Sequence, residues 1–300
     1  MEVPVLEIKN LSKSYGRLKA LDDFSLKVNK GEICGILGPN GSGKTTTLGI
    51  LLDILKPDSG QFFWFGNQPD YRQRLRIGAI LEAPTFYPYL SAVRNLRIVA
   101  DIKNIPYDQV NEVLETVGLT QRKNSKFKTF SLGMKQRLAI AAVLLGKPEV
   151  LILDEPTNGL DPRGIAEMRE LILGISAKGV TILLASHLLD EVQKVCTHVV
   201  ILERGKKLGD GNVGQVLSSS AAFELAAENM DELNFALIQS GFFTEVKPEK
   251  EFLIAIFDKE ITAADINKYL SEKGIYITHL ASRKQSLEKY FLDLLTENNA

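Results

Sequence analysis

Histidine, cysteine and tryptophan are nearly missing from this sequence: three, two and one among 300 residues. Cys34 and Cys196 lie in apolar surroundings without disulfide or metal-type spacing, which fits a reducing cytosol. With only His187, His198 and His279 present, the clustered ligand spacing of a zinc site is absent. Long hydrophobic runs are missing too. No window reaches the ~18 to 20 consecutive apolar residues of a spanning helix, and Met1 leads straight to the charged, strand-like Val5-Leu6-Glu7-Ile8-Lys9-Asn10, so neither a membrane span nor a secretory leader is expected. The aromatic knot Phe62-Phe63-Trp64-Phe65, between Gly60 and Gly66, reads as a buried strand. An excess of one charge is the last absence: 36 Lys and Arg oppose 37 Asp and Glu, a formal net of −1. That balance argues against a dedicated basic nucleic-acid face unless acids elsewhere mask it, and no nucleic-acid partner is expected. From Ala222 onward fourteen acidic side chains face eight basic ones, a net of −6, which leaves +5 on the rest.

What is present is a 45% apolar chain, long enough for one large domain and a smaller one. Strand patterns at Leu6 to Lys9 and Phe24 to Val28 precede the apolar run Glu32-Ile-Cys-Gly-Ile-Leu37, a glycine-rich turn, and a helix predicted from Thr45 to about Leu55. Lys56-Pro57-Asp58-Ser59-Gly60 supplies turn chemistry after it. Residues 91–146 change to a helical pattern, with Ser91 and Ser131 as N-caps and Gly118 and Gly146 as helix ends. Near-continuous apolar runs return at Val150 to Leu153, Val180 to Ala185 and Val199 to Leu202. Such runs suit strands buried on both faces, hence a helix-covered parallel sheet. The Gly- and Ser-rich stretch from Gly205 to Ser220 reads as a boundary. Beyond it, strand patterns at Phe223 to Ala226, Phe252 to Phe257 and Ile275 to Leu280 alternate with helix patterns at Asp231 to Gln239, Ala263 to Lys273 and Ser286 to Leu295. The expected organisation is a large domain over 1–211, with its helical part near 91–146, and a small α+β domain over 222–300.

Gly38-Pro39-Asn40-Gly41-Ser42-Gly43-Lys44-Thr45, followed by Thr46, satisfies the phosphate-loop pattern in its required context, after a strand and before a helix. Glycines let the backbone N–H groups curl around phosphates, and the helix start adds positive character. Lys44 reaches the β- and γ-phosphates, and the Thr45 hydroxyl suits Mg²⁺, which favours oxygen ligands. Val150-Leu-Ile-Leu153 ends in Asp154-Glu155, two acids at the carboxyl edge of a buried strand, where ligands of open α/β sheets bind. Asp154 would hold the metal and Glu155 would polarise the attacking water.

Phe130-Ser131-Leu132-Gly133-Met134-Lys135-Gln136-Arg137 resembles the signature motif of ATP-binding-cassette ATPases, and the resemblance covers roughly Leu6 to Gly211. It implies an α/β P-loop NTPase cassette: a RecA-like parallel core, an antiparallel β part and a helical part. It further implies that Tyr15 stacks on adenine, that His187 in Ser186-His187 contacts the γ-phosphate, and that Asp161 belongs to the loop Asn158-Gly159-Leu160-Asp161 after the catalytic strand. ATP and Mg²⁺ are the implied ligands. Ser131 and Gly133 would cover the nucleotide of a second subunit, since a capped helix N-terminus is an anion site. The implied partners are a second copy or a homologous ATPase subunit, plus polytopic permease subunits at the cytoplasmic face of the plasma membrane.

Two departures stand out. Leu132 and Met134 replace the usual Gly and Gln, and Glu82, in Ile77-Gly-Ala-Ile-Leu-Glu82-Ala-Pro84, replaces the usual glutamine near the metal and nucleotide. With Phe86-Tyr-Pro-Tyr-Leu90 they resemble the bacitracin-resistance type of exporter ATPase. An importer subunit is the nearest alternative. Cassette proteins that act on nucleic acid or ribosomes carry two cassettes or a long coiled coil, absent here, and a metabolic P-loop kinase has no signature.

Overall fold

Buried strands and turn-forming residues build the first unit around two sheets. The computed structural model describes residues 3–81, 85–218, 222–257, 261–283 and 286–298, and its contacts divide into Met1–Asp210 and Gly211–Ala300. In chain order the first part runs β1 Leu6–Tyr15, β2 Leu18–Val28, β3 Ile33–Leu37, α1 Lys44–Leu51, β4 Ser59–Trp64, α2 Tyr71–Leu75 and β5 Ile77–Ile80. Then come α3 Ala92–Lys103, α4 Asp108–Thr116, α5 Leu132–Leu144, β6 Val150–Asp154, α6 Pro162–Ser176, β7 Thr181–Ser186, α7 Leu189–Val195, β8 His198–Glu203 and β9 Lys206–Asn212.

The central sheet has the order β5-β6-β7-β3-β8-β9, and β5, β6, β7, β3 and β8 pair in parallel. Strand β3 is buried at every residue, and β6 at all but its last, as strands covered on both faces require. A parallel sheet aligns its carboxyl ends, which brings the loop after β3 and the acids after β6 to one edge. An antiparallel sheet of order β2-β1-β4 shares the core, with Trp64 fully buried and its indole N–H donating to the Leu51 carbonyl at 3.1 Å. Cys34 and Cys196 are free and buried, and burial pushes both thiols well above the ordinary range, so they serve as small apolar core groups.

Helices α3, α4 and α5 pack on one another. Ser91 caps α3 and Ser131 caps α5, their hydroxyls accepting from Arg94 N and Met134 N at 3.4 and 3.3 Å. Gly118 and Gly146 follow α4 and α5 in the left-handed region. The C-terminal carbonyls of α5 are satisfied by Lys103, whose ammonium donates to Ala142 and Leu145. Helix α1 is shorter than its apolar pattern predicts. It stops at Leu51 because the chain turns back at Asp53, in the left-handed region, so that Ile54 N and Leu55 N both donate to the Gly49 carbonyl. A side chain at residue 49 would meet Leu55 at 2.8 Å, so Gly49 makes the return feasible.

The Gly- and Ser-rich stretch at the expected boundary carries β9 and α8 Val213–Ser218, in which Val213 and Val216 are buried. The second unit continues with β10 Ala222–Ala227, α9 Met230–Gln239, β11 Glu245–Glu249, β12 Phe252–Ile256, α10 Ala263–Glu272, β13 Ile277–Arg283 and α11 Leu287–Asn298. Its antiparallel sheet has the order β11-β12-β10-β13, the split βαββαβ arrangement. Leu233, Ala236 and Leu237 of α9 and Ile266 and Leu270 of α10 pack on Phe223, Leu225, Leu253 and Ala255, giving this unit its own core. The extra strand, β11, holds Pro248 and sits at the sheet edge, where a missing N–H is tolerated.

Candidate active site

The loop from Gly38 to Gly43 is shaped by close backbone approaches. A Cβ on Gly38 would lie 2.2 Å from the Leu202 carbonyl oxygen, and one on Gly43 would lie 2.4 Å from that of Ala20. Both residues also have positive φ, 156° and 111°, so no other residue type fits. Ser42 is 2% exposed, and its hydroxyl has no hydrogen-bond partner among the described groups, which leaves it available to a ligand oxygen beside the loop. Lys44 is 6% exposed; its ammonium donates to the carbonyls of Gly38 and Pro39 at 2.7 and 3.3 Å and stands 3.6 Å from Glu155 Oε1. Its charge is therefore held at the mouth of α1, the positive end of that helix.

At the same edge, Thr45 Oγ1 donates to Asp154 Oδ2 at 2.9 Å. Glu155 breaks strand geometry with φ of 48°, its N–H donating to the Ala185 carbonyl at 3.0 Å. The turn sends its carboxylate between two cations or donors: Oε2 is 2.8 Å from His187 Nδ1, and Oε1 faces Lys44. A carboxylate so placed can accept a proton from a water, with the imidazole as its orienting partner.

These groups border a cleft of about 570 Å³, whose walls include Tyr15, Asn40, Gly41, Gly43, Lys44, Thr45, Thr46, Asp154 and Glu155. Gly38, Pro39 and Ser42 form the loop behind them. Tyr15 is half-exposed at the end of β1. Its position is fixed by Asp58, which accepts from Ser14 N at 2.6 Å and Lys13 Nζ at 2.9 Å; the Lys13 bond, then the Ser14 bond, hold the Asp58 carboxyl below its usual range. Leu18, Ala20, Leu81, Leu132, Gln136 and Asn158 complete the walls without having been singled out as site residues from the sequence. Leu132 and Gln136, one helical turn apart on α5, carried a signal in their spacing.

Three expected site residues are elsewhere. Ser131, Gly133 and Asp161 border a separate depression of about 370 Å³ between α5 and α6. Asp161 is occupied as the N-cap of α6, accepting from Gly164 N at 2.9 Å, just as Ser131 caps α5. Ser131 and Gly133 thus border a different concavity from the phosphate loop, while Leu132 between them lines both. Glu82 lies outside the described residues.

A parallel sheet with a phosphate loop after one strand and an acid pair after another defines a P-loop nucleoside-triphosphatase cassette. Residues 21–158 match the family described as ABC transporter. The bacitracin transport ATP-binding protein BcrA of Bacillus licheniformis is 38% identical over 297 residues, 97% of each chain. The solved structure of cbiO1 from Clostridium perfringens, part of the ABC transporter complex cbiONQ, superposes with a TM-score of 0.67 at 32% identity, covering 72% of this chain and 91% of that one. Another cassette, solved as a dimer in a post-hydrolysis state with ADP and Pi, gives a TM-score of 0.62 at 25% identity over 69% of this chain and 98% of that one. The chain belongs to the ABC transporter family as an ATP-binding subunit, and it is an ATPase.

Proposed function

We propose that this subunit hydrolyses MgATP as a head-to-tail dimer, with itself or a homologous ATPase subunit, and powers export by separate membrane permease subunits. The observation that carries the reading is that Ser131 and Gly133 do not line the phosphate-loop cleft of their own chain. The phosphate-loop cleft holds Lys44, Thr45, Asp154 and Glu155, whereas Ser131 and Gly133 border another depression. Pairing two chains head to tail brings each cleft against the other chain's α5 start, whose free N–H groups and positive helix end suit a γ-phosphate. Bound nucleotide would be contacted by the loop and by Tyr15, and Mg²⁺ by the oxygens of Thr45 and Asp154. Their 2.9 Å contact supports that fit. Mg²⁺ usually keeps several waters and takes few protein oxygens. The ion would neutralise charge on the phosphates. Glu155 then accepts a proton as the water oxygen attacks the γ-phosphorus, the bond to the β–γ bridging oxygen breaks, and ADP leaves. Glu82, read from sequence, is assigned to the same metal and to coupling with the permease.

Among the described residues no helix is long and apolar enough to cross a membrane, so the transport path is assigned to partner subunits and this chain to the cytoplasmic face of the plasma membrane. That BcrA serves bacitracin transport supports an antibiotic-like peptide, lipid or drug as cargo, and export as direction is assigned from the resemblance of Leu132, Met134 and Glu82 to the bacitracin-resistance exporters. The test is mass measurement of purified chain with hydrolysis blocked, followed by co-isolation with a polytopic membrane protein. ATP should convert the 33.2 kDa species to one of twice that mass. A strictly monomeric chain that hydrolyses ATP at full rate overturns the shared site.

A further inference from the structure

A second cavity, of about 560 Å³, lies at the edge of the central sheet opposite the nucleotide cleft, where β6 and β7 begin and α4 passes over them. Its size falls within the range of small-molecule sites. Its floor is apolar, with buried Val5, Val113 and Ile175, and Leu144 and Val180 form half-buried walls. Two carboxylates at the rim are already neutralised. Glu112 pairs with Lys147 at 3.3 Å, and Glu149 accepts two bonds from Arg76, at 2.6 and 2.9 Å.

Two further cations stand at the rim outside any close pair, although Lys30 also acts at longer range on Glu149, whose oxygens are already bonded to Arg76. Lys30 and Lys178 both border the cavity, and neither makes an ion pair among the described residues. The fold brings them together. Each stands three residues ahead of one of two neighbouring parallel strands, with Ile33 registered against Ile182, Gly31 N donating to Thr181 Oγ1 at 2.9 Å and Ile182 N to the Glu32 carbonyl at 2.9 Å. Lys178 follows the C-terminus of α6 and complements its dipole. Lys30 precedes a strand and has no helix end to serve.

We propose that this cavity is a second ligand site, for a small amphipathic anion whose head lies between Lys30 and Lys178 and whose apolar tail lies against Val113 and Ile175. Such a ligand bridges α4 of the helical part and the starts of the sheet strands, so its binding stabilises their mutual placement. The site is separate from the nucleotide cleft and does not depend on dimer formation.

Calorimetric titration of the full chain with octanoate tests it, with 1-octanol as the uncharged comparison. Saturable one-to-one binding of octanoate, at least tenfold tighter than octanol and unaffected by saturating ATP, is expected. The double variant Lys30→Glu/Lys178→Glu, on exposed side chains, should weaken octanoate at least tenfold, and Thr116→Trp at the mouth should block it while leaving nucleotide affinity unchanged. Absence of saturable binding, equal binding by both variants, or displacement by ATP overturns the assignment.

Discussion

Glu155 occupies a left-handed backbone conformation that a non-glycine residue adopts only at a cost of about 1–2 kcal/mol. The strain has a visible return, since it turns the carboxylate from the end of β6 toward both His187 and Lys44. Glu155→Gln keeps the shape and removes the proton acceptor. Hydrolysis should fall by about 10²- to 10⁴-fold while ATP binding persists, measured by phosphate release and by nucleotide titration. His187→Ala should also slow hydrolysis, through loss of the 2.8 Å contact that orients the carboxylate. If both act on one proton, the double variant will be no slower than Glu155→Gln alone; additive losses would show that His187 acts independently.

At the scale of elements, the phosphate loop depends on clearance as well as conformation, and the two can be separated. Gly41 has a φ of 82° but open space around a Cβ, whereas Gly43 has a φ of 111° and a carbonyl oxygen 2.4 Å from where its Cβ would stand. Gly41→Ala should therefore cost about 1–2 kcal/mol, the left-handed penalty alone, and retain nucleotide binding. Gly43→Ala must displace backbone, and should lower the melting temperature further and abolish binding. This loop was legible in the sequence because its pattern is itself the chemistry. Strands β3, β6, β7 and β8 were legible as unbroken apolar runs. Leu18 and Ala20 were not, because they reach the cleft through the β1–β2 hairpin register, which pairs Tyr15 with Leu18. The edge strand β11 was hidden by Pro248 and its charged neighbours, and the early end of α1 by an apolar Leu55 that packs on Gly49 instead of extending the helix.

A charge contact between elements sets a pH dependence. Arg76, at the end of α2, makes its paired bonds to Glu149 just ahead of β6, and those bonds, above all other causes, hold the Glu149 carboxyl below its usual range. A depressed folded pKa means that the unfolded chain binds the proton more readily. The contribution is complete above the unfolded value of about 4.3 and is lost as pH falls through the folded one. Both side chains are substantially exposed, so the effect should not exceed about 1 kcal/mol. Glu149→Gln should be slightly less stable than the parent at pH 7, and the difference should vanish once the pH has fallen below the depressed folded pKa, where Glu149 is protonated in both states. A difference that persists there would trace to packing of Arg76 on the Phe65 ring, 3.4 Å away.

For the whole molecule the question is whether one chain contains a complete catalytic site. Ser131 borders a different concavity from Lys44 and Glu155, so a change at its side chain should leave nucleotide capture by the same chain intact. Ser131→Arg places a bulky cation at the start of α5 and removes the cap on Met134 N. Nucleotide affinity of the monomer should change little, and hydrolysis should be abolished. Lys44→Ala should instead weaken binding directly. Mixing the two inactive variants distinguishes a shared site from a private one. In the mixed dimer one composite site carries both lesions, while the other joins an unaltered phosphate loop to an unaltered Ser131. Measurable hydrolysis should therefore appear on mixing where each variant alone has none, rising with the fraction of mixed dimer. If the Ser131→Arg monomer no longer binds ATP, the α5 start serves its own chain's nucleotide. If both bind as expected but mixing restores nothing, the two composite sites must fire together, and the intact one cannot turn over beside a damaged neighbour.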